Sequence, residues 1–158
     1  MAKGKKRGGS KAKKGGGTNA LTLLKADHDE VKKAFKKFEK MDHEDTEAVQ
    51  ALVTQTCAAL TQHAELEESL FYPAVREAIE DEDLMNEALV EHRSAKDLIA
   101  QIQSMTPDDP MLHATFSVLG EYVQHHVQEE EGEIFPAARK ADIDLKALGE
   151  QIMARKGR

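Results

Sequence analysis

Beyond residue 18, apolar residues recur at steps of three and four along most of the chain, the spacing of one buried face of an α-helix. A first run turns Leu21, Leu24, His28, Val31, Phe35 and Phe38 to one side as far as about Lys40, with Thr18 or Asn19 as cap. A turn over Asp42–Thr46 follows, and Asp45 or Thr46 caps a second run through Val49, Leu52, Thr56, Ala59, His63, Leu66 or Glu67, and Leu70. Pro73 lacks an amide donor, so it is expected to kink or break that helix before it resumes to about Ile79. The acidic stretch Glu80–Asp83 suits a turn and a helix start, and the third run places Met85, Ala88, His92, Ala95, Ile99 and Ile102 inward. A loop over Thr106–Pro110 leads to the fourth run, with Leu112, Phe116, Leu119, Tyr122 or Val123, His126 and Glu130, until Gly132 and Pro136 interrupt it. Asp142 or Asp144 caps a short last helix from Leu145 to about Arg155. This pattern predicts an all-α fold: an up-down-up-down four-helix bundle with a short fifth C-terminal helix packed outside.

The polar residues that fall inside those apolar seams form a repeat. Residues 63–73 read HAELEESLFYP and residues 126–136 read HVQEEEGEIFP, which aligns His63 with His126, Glu67 with Glu130, Glu68 with Glu131 and Tyr72 with Phe135. Each copy holds His-x-x-x-Glu, whose side chains lie one turn apart on one helix face. A fainter repeat precedes each copy: Asp27-His28 in the first half and Glu91-His92 in the second.

A single histidine on an apolar face is usually a core residue bonded to a carbonyl. Here all four long helices carry one near the middle of the seam, and two add a glutamate at i+4. Burying four imidazoles and two carboxylates without a cation would carry a heavy desolvation cost. Six such groups exceed the four ligands at which a tetrahedral zinc site closes, and they suit two metal ions bridged by two carboxylates. The mixture of nitrogen and hard oxygen donors suits iron or manganese, and would also take zinc or copper. The metal set expected from the residues is therefore His28, His63, Glu67, His92, His126 and Glu130.

These residues resemble the hemerythrin-like domain, also called the HHE cation-binding domain, over about residues 20–155. The resemblance implies a non-haem di-iron centre that binds dioxygen, with His28 and His63 on one iron, His92 and His126 on the other, and Glu67 and Glu130 bridging. It also implies a departure. The oxygen carriers have a further histidine four residues after the third-helix ligand, where this chain has Lys96. A protonated lysine cannot ligate, so the two iron sites are expected to be more alike than in those carriers. Reversible carriage loses ground to redox or sensing chemistry. Tyr122, one turn before His126, is a candidate for the vacant position or for a hydrogen bond to a bound species.

Other residues narrow the reading further. His43, His113 and His125 are expected at the surface; Glu65, Glu68, Glu129 and Glu131 flank the ligands and are expected mostly in solvent, with one of them available to bond an imidazole. Cys57 reads as a small buried hydrophobe. Aromatics are 4% of the chain and a lone cysteine excludes an internal disulfide. Residues 1–17 carry seven Lys or Arg and no acid, which leaves 15 basic against 29 acidic residues in 18–158. The first 17 residues are therefore expected to be a disordered basic tail, a solubilising segment rather than a nucleic-acid arm beyond weak contact. No run matches a membrane span or a secretory signal, so a cytoplasmic location is expected. No nucleophile pair, phosphate loop or dinucleotide fingerprint is present. The expected function is a protein that binds two iron ions and dioxygen or a related diatomic or peroxide. The alternatives are a di-iron enzyme acting on peroxide or a small reductant, and an iron-handling protein.

Overall fold

The computed structural model describes residues 19–157, so the basic tail expected over residues 1–17 lies outside the described residues. The elements are α1 (Ala20–Lys40), α2 (Thr46–Leu66), α3 (Tyr72–Ala78), α4 (Glu82–Gln103), α5 (Leu112–Glu129), α6 (Phe135–Lys140) and α7 (Leu145–Lys156). No strand occurs among the described residues. Four of the starts are fixed by short polar side chains that accept an otherwise orphaned amide. Asn19 takes Thr22 N–H, Asp45 takes Ala48, Asp81 takes Leu84 and Asp144 takes Ala147, at 2.9–3.2 Å. The long helices α1, α2, α4 and α5 form the bundle, with α4 along α5 and α1 along both α2 and α7.

Pro73 and Pro136 do not break their helices. Each is preceded by one wide turn, Glu67–Phe71 and Glu130–Ile134, in which the amide of Tyr72 reaches the Glu67 carbonyl and that of Phe135 reaches Glu130. An i→i+5 turn holds one residue more than an α-turn, and it moves the helix past the proline ring without losing the chain direction. The expected kink is thus a local widening, and the chain continues as α3 and α6.

The core lies in two apolar parts with a polar layer between them. One part gathers Leu24, Leu66, Phe71, Val75, Met85, Ile134, Phe135 and, from α7, Leu148 and Ile152. The other gathers Val31, Phe38, Val53, Ile99, Phe116, Leu119 and Val127. Between them His28, His63, Glu67, His92 and Glu130 are buried, at the mid-seam positions expected. One expected inward residue fails and one open choice is decided. Ala59 is exposed while Val53 and Cys57 are buried, and Val123 rather than Tyr122 turns inward. Burial raises the Cys57 thiol to about 11, which fits an inert core residue. None of the described helices is long and apolar enough to cross a membrane.

Candidate metal centre

The polar layer divides into two half-sites that share Glu67 and Glu130. In the first, His28 Nε2 lies 3.1 Å from His63 Nε2 and 3.0 Å from Glu130 Oε1, and His63 Nε2 lies 3.0 Å from Glu67 Oε2. In the second, His92 Nε2 lies 3.2 Å from His126 Nε2 and 2.9 Å from Glu67 Oε1. His126 Nε2 is 3.5 Å from Glu130 Oε2. Each carboxylate therefore gives one oxygen to each half-site.

Every one of the four imidazoles is held from behind by a carboxylate. His28 Nδ1 meets Glu131 at 2.7 Å, His63 meets Asp27 at 2.9 Å, His92 meets Glu68 at 2.7 Å and His126 meets Glu91 at 2.6 Å. An ionised carboxylate only accepts, so Nδ1 carries the proton and the Nε2 lone pair faces inward. Lone pairs facing each other across 3.1–3.2 Å repel unless a cation or a proton lies between them. Ligands at about 2.1 Å from one ion and about 90° apart are themselves about 3 Å apart. The observed spacings are those of ligand atoms around an ion. Glu67 Oε2 and Glu130 Oε1 are buried and face only the Nε2 atoms of His63 and His28, so a cation shared by nitrogen and oxygen would satisfy both.

The electrostatics agree. Burial works against charge on His63, yet Glu67 and Asp27 raise it to about 10. His126 also lies well above the ordinary imidazole range, against burial, through Glu130, Glu67 and Glu91. Glu67 stays well below the carboxylate range despite complete burial, owing to His63 and its other neighbours. Without metal the cluster collects protons where positive charge is needed; two cations would displace them.

The half-sites differ in one residue. The Tyr72 hydroxyl donates to Glu130 Oε2 at 2.5 Å and lies 3.1 Å from Glu67 Oε1 and 3.2 Å from both His92 and His126 Nε2. One point about 3 Å from four ligand atoms is the apex of a square pyramid, so the phenol oxygen can serve as a fifth donor to an ion there. Burial and the two glutamates keep that phenol protonated well above its usual range until a cation arrives. At the matching place in the first half-site, Phe135 stacks on His28 with ring centroids 5.8 Å apart. The loss of the fifth histidine brings the two sites nearer in kind to one another than in the oxygen carriers, but Tyr72 against Phe135 still sets them apart.

Tyr122 has a different place from Tyr72. It is 49% exposed and lines the cavity above the imidazoles. Lys96 is half-exposed and pairs with Glu68 at 2.7 Å, outside the ligand layer. Lys156 of α7 does the same for Asp27 at 2.6 Å. Glu68 and Glu131, expected mostly in solvent, both hold imidazoles, whereas Glu65 pairs with Arg155 and Glu129 with His125. His125 is at the surface as expected. Above the four imidazoles, on the side away from Tyr72 and Phe135, lies a cavity of about 50 Å³ walled by Val31, Leu60, Ala95, Ile99, Val123 and Val127.

Comparison with known proteins gives the same picture. The chain is 31% identical over 121 residues to a DNA nickase of Nostoc sp., covering 77% of this chain and 34% of that protein. The chain thus spans about a third of the length of that relative. It superposes with a TM-score of 0.76 on the crystal structure of a hemerythrin HHE cation-binding domain-containing protein from Mycobacterium kansasii. That match is 27% identical and covers 88% of this chain and 85% of the other. The family model of the hemerythrin HHE cation-binding domain matches residues 19–138, and the chain belongs to that family.

Proposed function

We propose that the protein holds two iron ions in the paired half-sites and binds dioxygen or peroxide in the apolar cavity against them. His28, His63, Glu67 and Glu130 would hold one ion; His92, His126, Glu67, Glu130 and Tyr72 would hold the other. The observation that carries this reading is the inward alignment of four Nε2 atoms, each fixed by a carboxylate on Nδ1, beneath a cavity of about 50 Å³. A water molecule needs roughly 10–15 Å³ of such space, so a diatomic or a peroxide fits and a bulky substrate does not. Mixed imidazole and oxygen donors favour iron or manganese. Bound iron would supply electrons to an oxygen species in the cavity.

The chain's own residues set what happens there. The apolar walls exclude bulk water and strengthen every polar interaction inside. The Tyr72 hydroxyl donates to Glu130 Oε2, which holds the phenol oxygen against the ligand atoms; ligation would release its proton from the centre, as metal binding does for any protonated ligand. A phenolate is a hard anionic donor and favours the more oxidised ion. Tyr72 therefore favours the second reading, redox turnover of peroxide or a small reductant, over reversible carriage. The Nostoc relative is named for DNA nicking, but two thirds of it lies outside the match, and residues 18–158 here are strongly acidic. The test is stopped-flow absorption of anaerobically iron-loaded, reduced protein mixed with oxygen and, separately, with peroxide. Fast oxidation with repeated peroxide consumption is expected. A stable adduct that releases oxygen unchanged would return the protein to carriage, and no reaction with either would overturn the proposal.

A further inference from the structure

One carboxylate that steadies the buried centre also faces outward. Glu91 gives Oε1 to His126 Nδ1 at 2.6 Å, while its Oε2 lies 3.7 Å from Nε2 of His125, the neighbouring residue on the outer face of α5. His125 Nε2 in turn lies 3.0 Å from Glu129 Oε2, one turn further on. One ligand atom from each of Glu91, His125 and Glu129 falls within 4.8 Å of the others. An imidazole and two carboxylates at these separations form a donor set for a divalent ion, with the remaining positions open to water. His125 is 65% exposed, so an ion arriving from solvent meets it directly.

The surroundings lead toward this point from outside and away from it on the inside. An open groove along α4, walled by Asp83, Asn86, Glu87, Val90 and Glu91, brings two further carboxylates to its edge. Glu91 also lines the inner cavity, beside His92 and His126. It is thus the wall shared by an acidic surface groove and the chamber over the buried imidazoles. Such a groove concentrates cations near its floor.

We propose that Glu91, His125 and Glu129 form a separate surface site for a divalent metal ion, from which the buried centre is loaded. An ion held there is one carboxylate away from His126, and rotation of Glu91 from His126 toward the ion opens the way inward. The loading step rests on the buried centre holding metal; the surface site does not.

The experiment uses the full chain, metal-free and separately iron-loaded. Manganese(II) is added to the iron-loaded protein and counted by its electron paramagnetic resonance signal. One further equivalent, bound with a dissociation constant in the micromolar range, is expected. It should weaken at least tenfold in His125→Asn and in Glu129→Gln, neither of which belongs to the buried set. Iron(II) is then added anaerobically to metal-free parent and variants, and the dialysis-resistant iron is followed in time. The variants should reach the same final content as the parent, at least fivefold more slowly, with circular dichroism confirming the fold. Absence of the extra manganese equivalent, or its survival in both variants, overturns the surface site. Equal loading rates overturn the loading role. If the parent retains no dialysis-resistant iron, the buried-centre reading fails and the loading role with it, while manganese binding still decides the surface site.

Discussion

The two half-sites come from the same repeat, and their difference lies at one aligned position. His63 and His126, Glu67 and Glu130, Asp27 and Glu91, and Glu68 and Glu131 do matching work in the two halves. Tyr72 and Phe135 do not. The phenol reaches four ligand atoms of the His92/His126 half-site, whereas the phenyl ring only stacks on His28. Shared geometry offers a donor set in both halves; a single hydroxyl would make two ions held there chemically different. A centre with unlike ions suits electron transfer to a substrate bound on one side better than a symmetric one does.

The largest effect should come from removing what the halves share. Glu67→Ala and Glu130→Ala each take a buried oxygen from both half-sites, and each should lower metal content below one ion per chain by elemental analysis. His43→Ala, at the exposed turn, should leave the content at two. Metal retained in both glutamate variants would break the equivalence of the halves at its root.

Next comes the difference itself. Tyr72→Phe copies the Phe135 half into the other and should retain both ions while abolishing any visible absorption band from tyrosinate bound to ferric iron. Peroxide turnover should fall at least tenfold. An unchanged spectrum would show that the phenol never ligates.

The carboxylates behind the imidazoles offer a finer comparison. Asp27→Asn and Glu91→Gln each weaken the hold on one histidine, in different halves, and should each cost about 10–100-fold in metal affinity, read by competition with a chelator. Similar losses would show that both halves depend equally on this support. The metal-free protein supplies a further test through pH. The folded-state value for His63, raised to about 10, lies above its unfolded value, so the stabilising charge is fully present below about pH 6.5 and is lost as pH rises toward 10. Metal-free protein should therefore melt lower at pH 9.5 than at pH 7. Metal binds the neutral ring, so apparent affinity should rise with pH over the same interval, by up to about tenfold per unit for each proton displaced.

The smallest effect is expected at Lys96. It lies at the edge of the cavity, half-exposed, paired with the Glu68 that holds His92 from behind. Lys96→His should leave the rate of oxidation by oxygen within about twofold of the parent, as seen by stopped flow.

What could be read before the structure follows from where the helical period holds. His28, His63, His92 and His126 fall at mid-seam in four helices, and the two glutamates follow at i+4, so a period of 3.6 brings all six together. Tyr72 comes five residues after Glu67. At about 100° per residue it would point roughly 140° away from that glutamate. The wide turn at Glu67–Phe71 inserts one residue and brings Tyr72 back toward the Glu67 face. The repeat placed Tyr72 opposite Phe135, but nothing in a regular period shows that both point inward. The same limit left Glu68 and Glu131 undistinguished from Glu65 and Glu129 as partners for an imidazole; they follow Glu67 and Glu130 into the widened turns. Asp27 and Glu91 were visible as acid-His pairs; that each reaches the histidine of a neighbouring helix, not its own neighbour in sequence, is a tertiary fact. The choice between Tyr122 and Val123 was open for a simpler reason. The seam could run through Tyr122 or Val123, and packing selected the residue without a polar group.

The central claim is two ions per chain held in unlike half-sites, and Mössbauer spectroscopy of protein loaded with isotope-enriched iron tests it most directly. Two quadrupole doublets of equal area are expected from the oxidised parent, converging toward one in Tyr72→Phe. A single doublet from the parent would contradict the asymmetry, and an iron content of one ion or none per chain would contradict the centre itself.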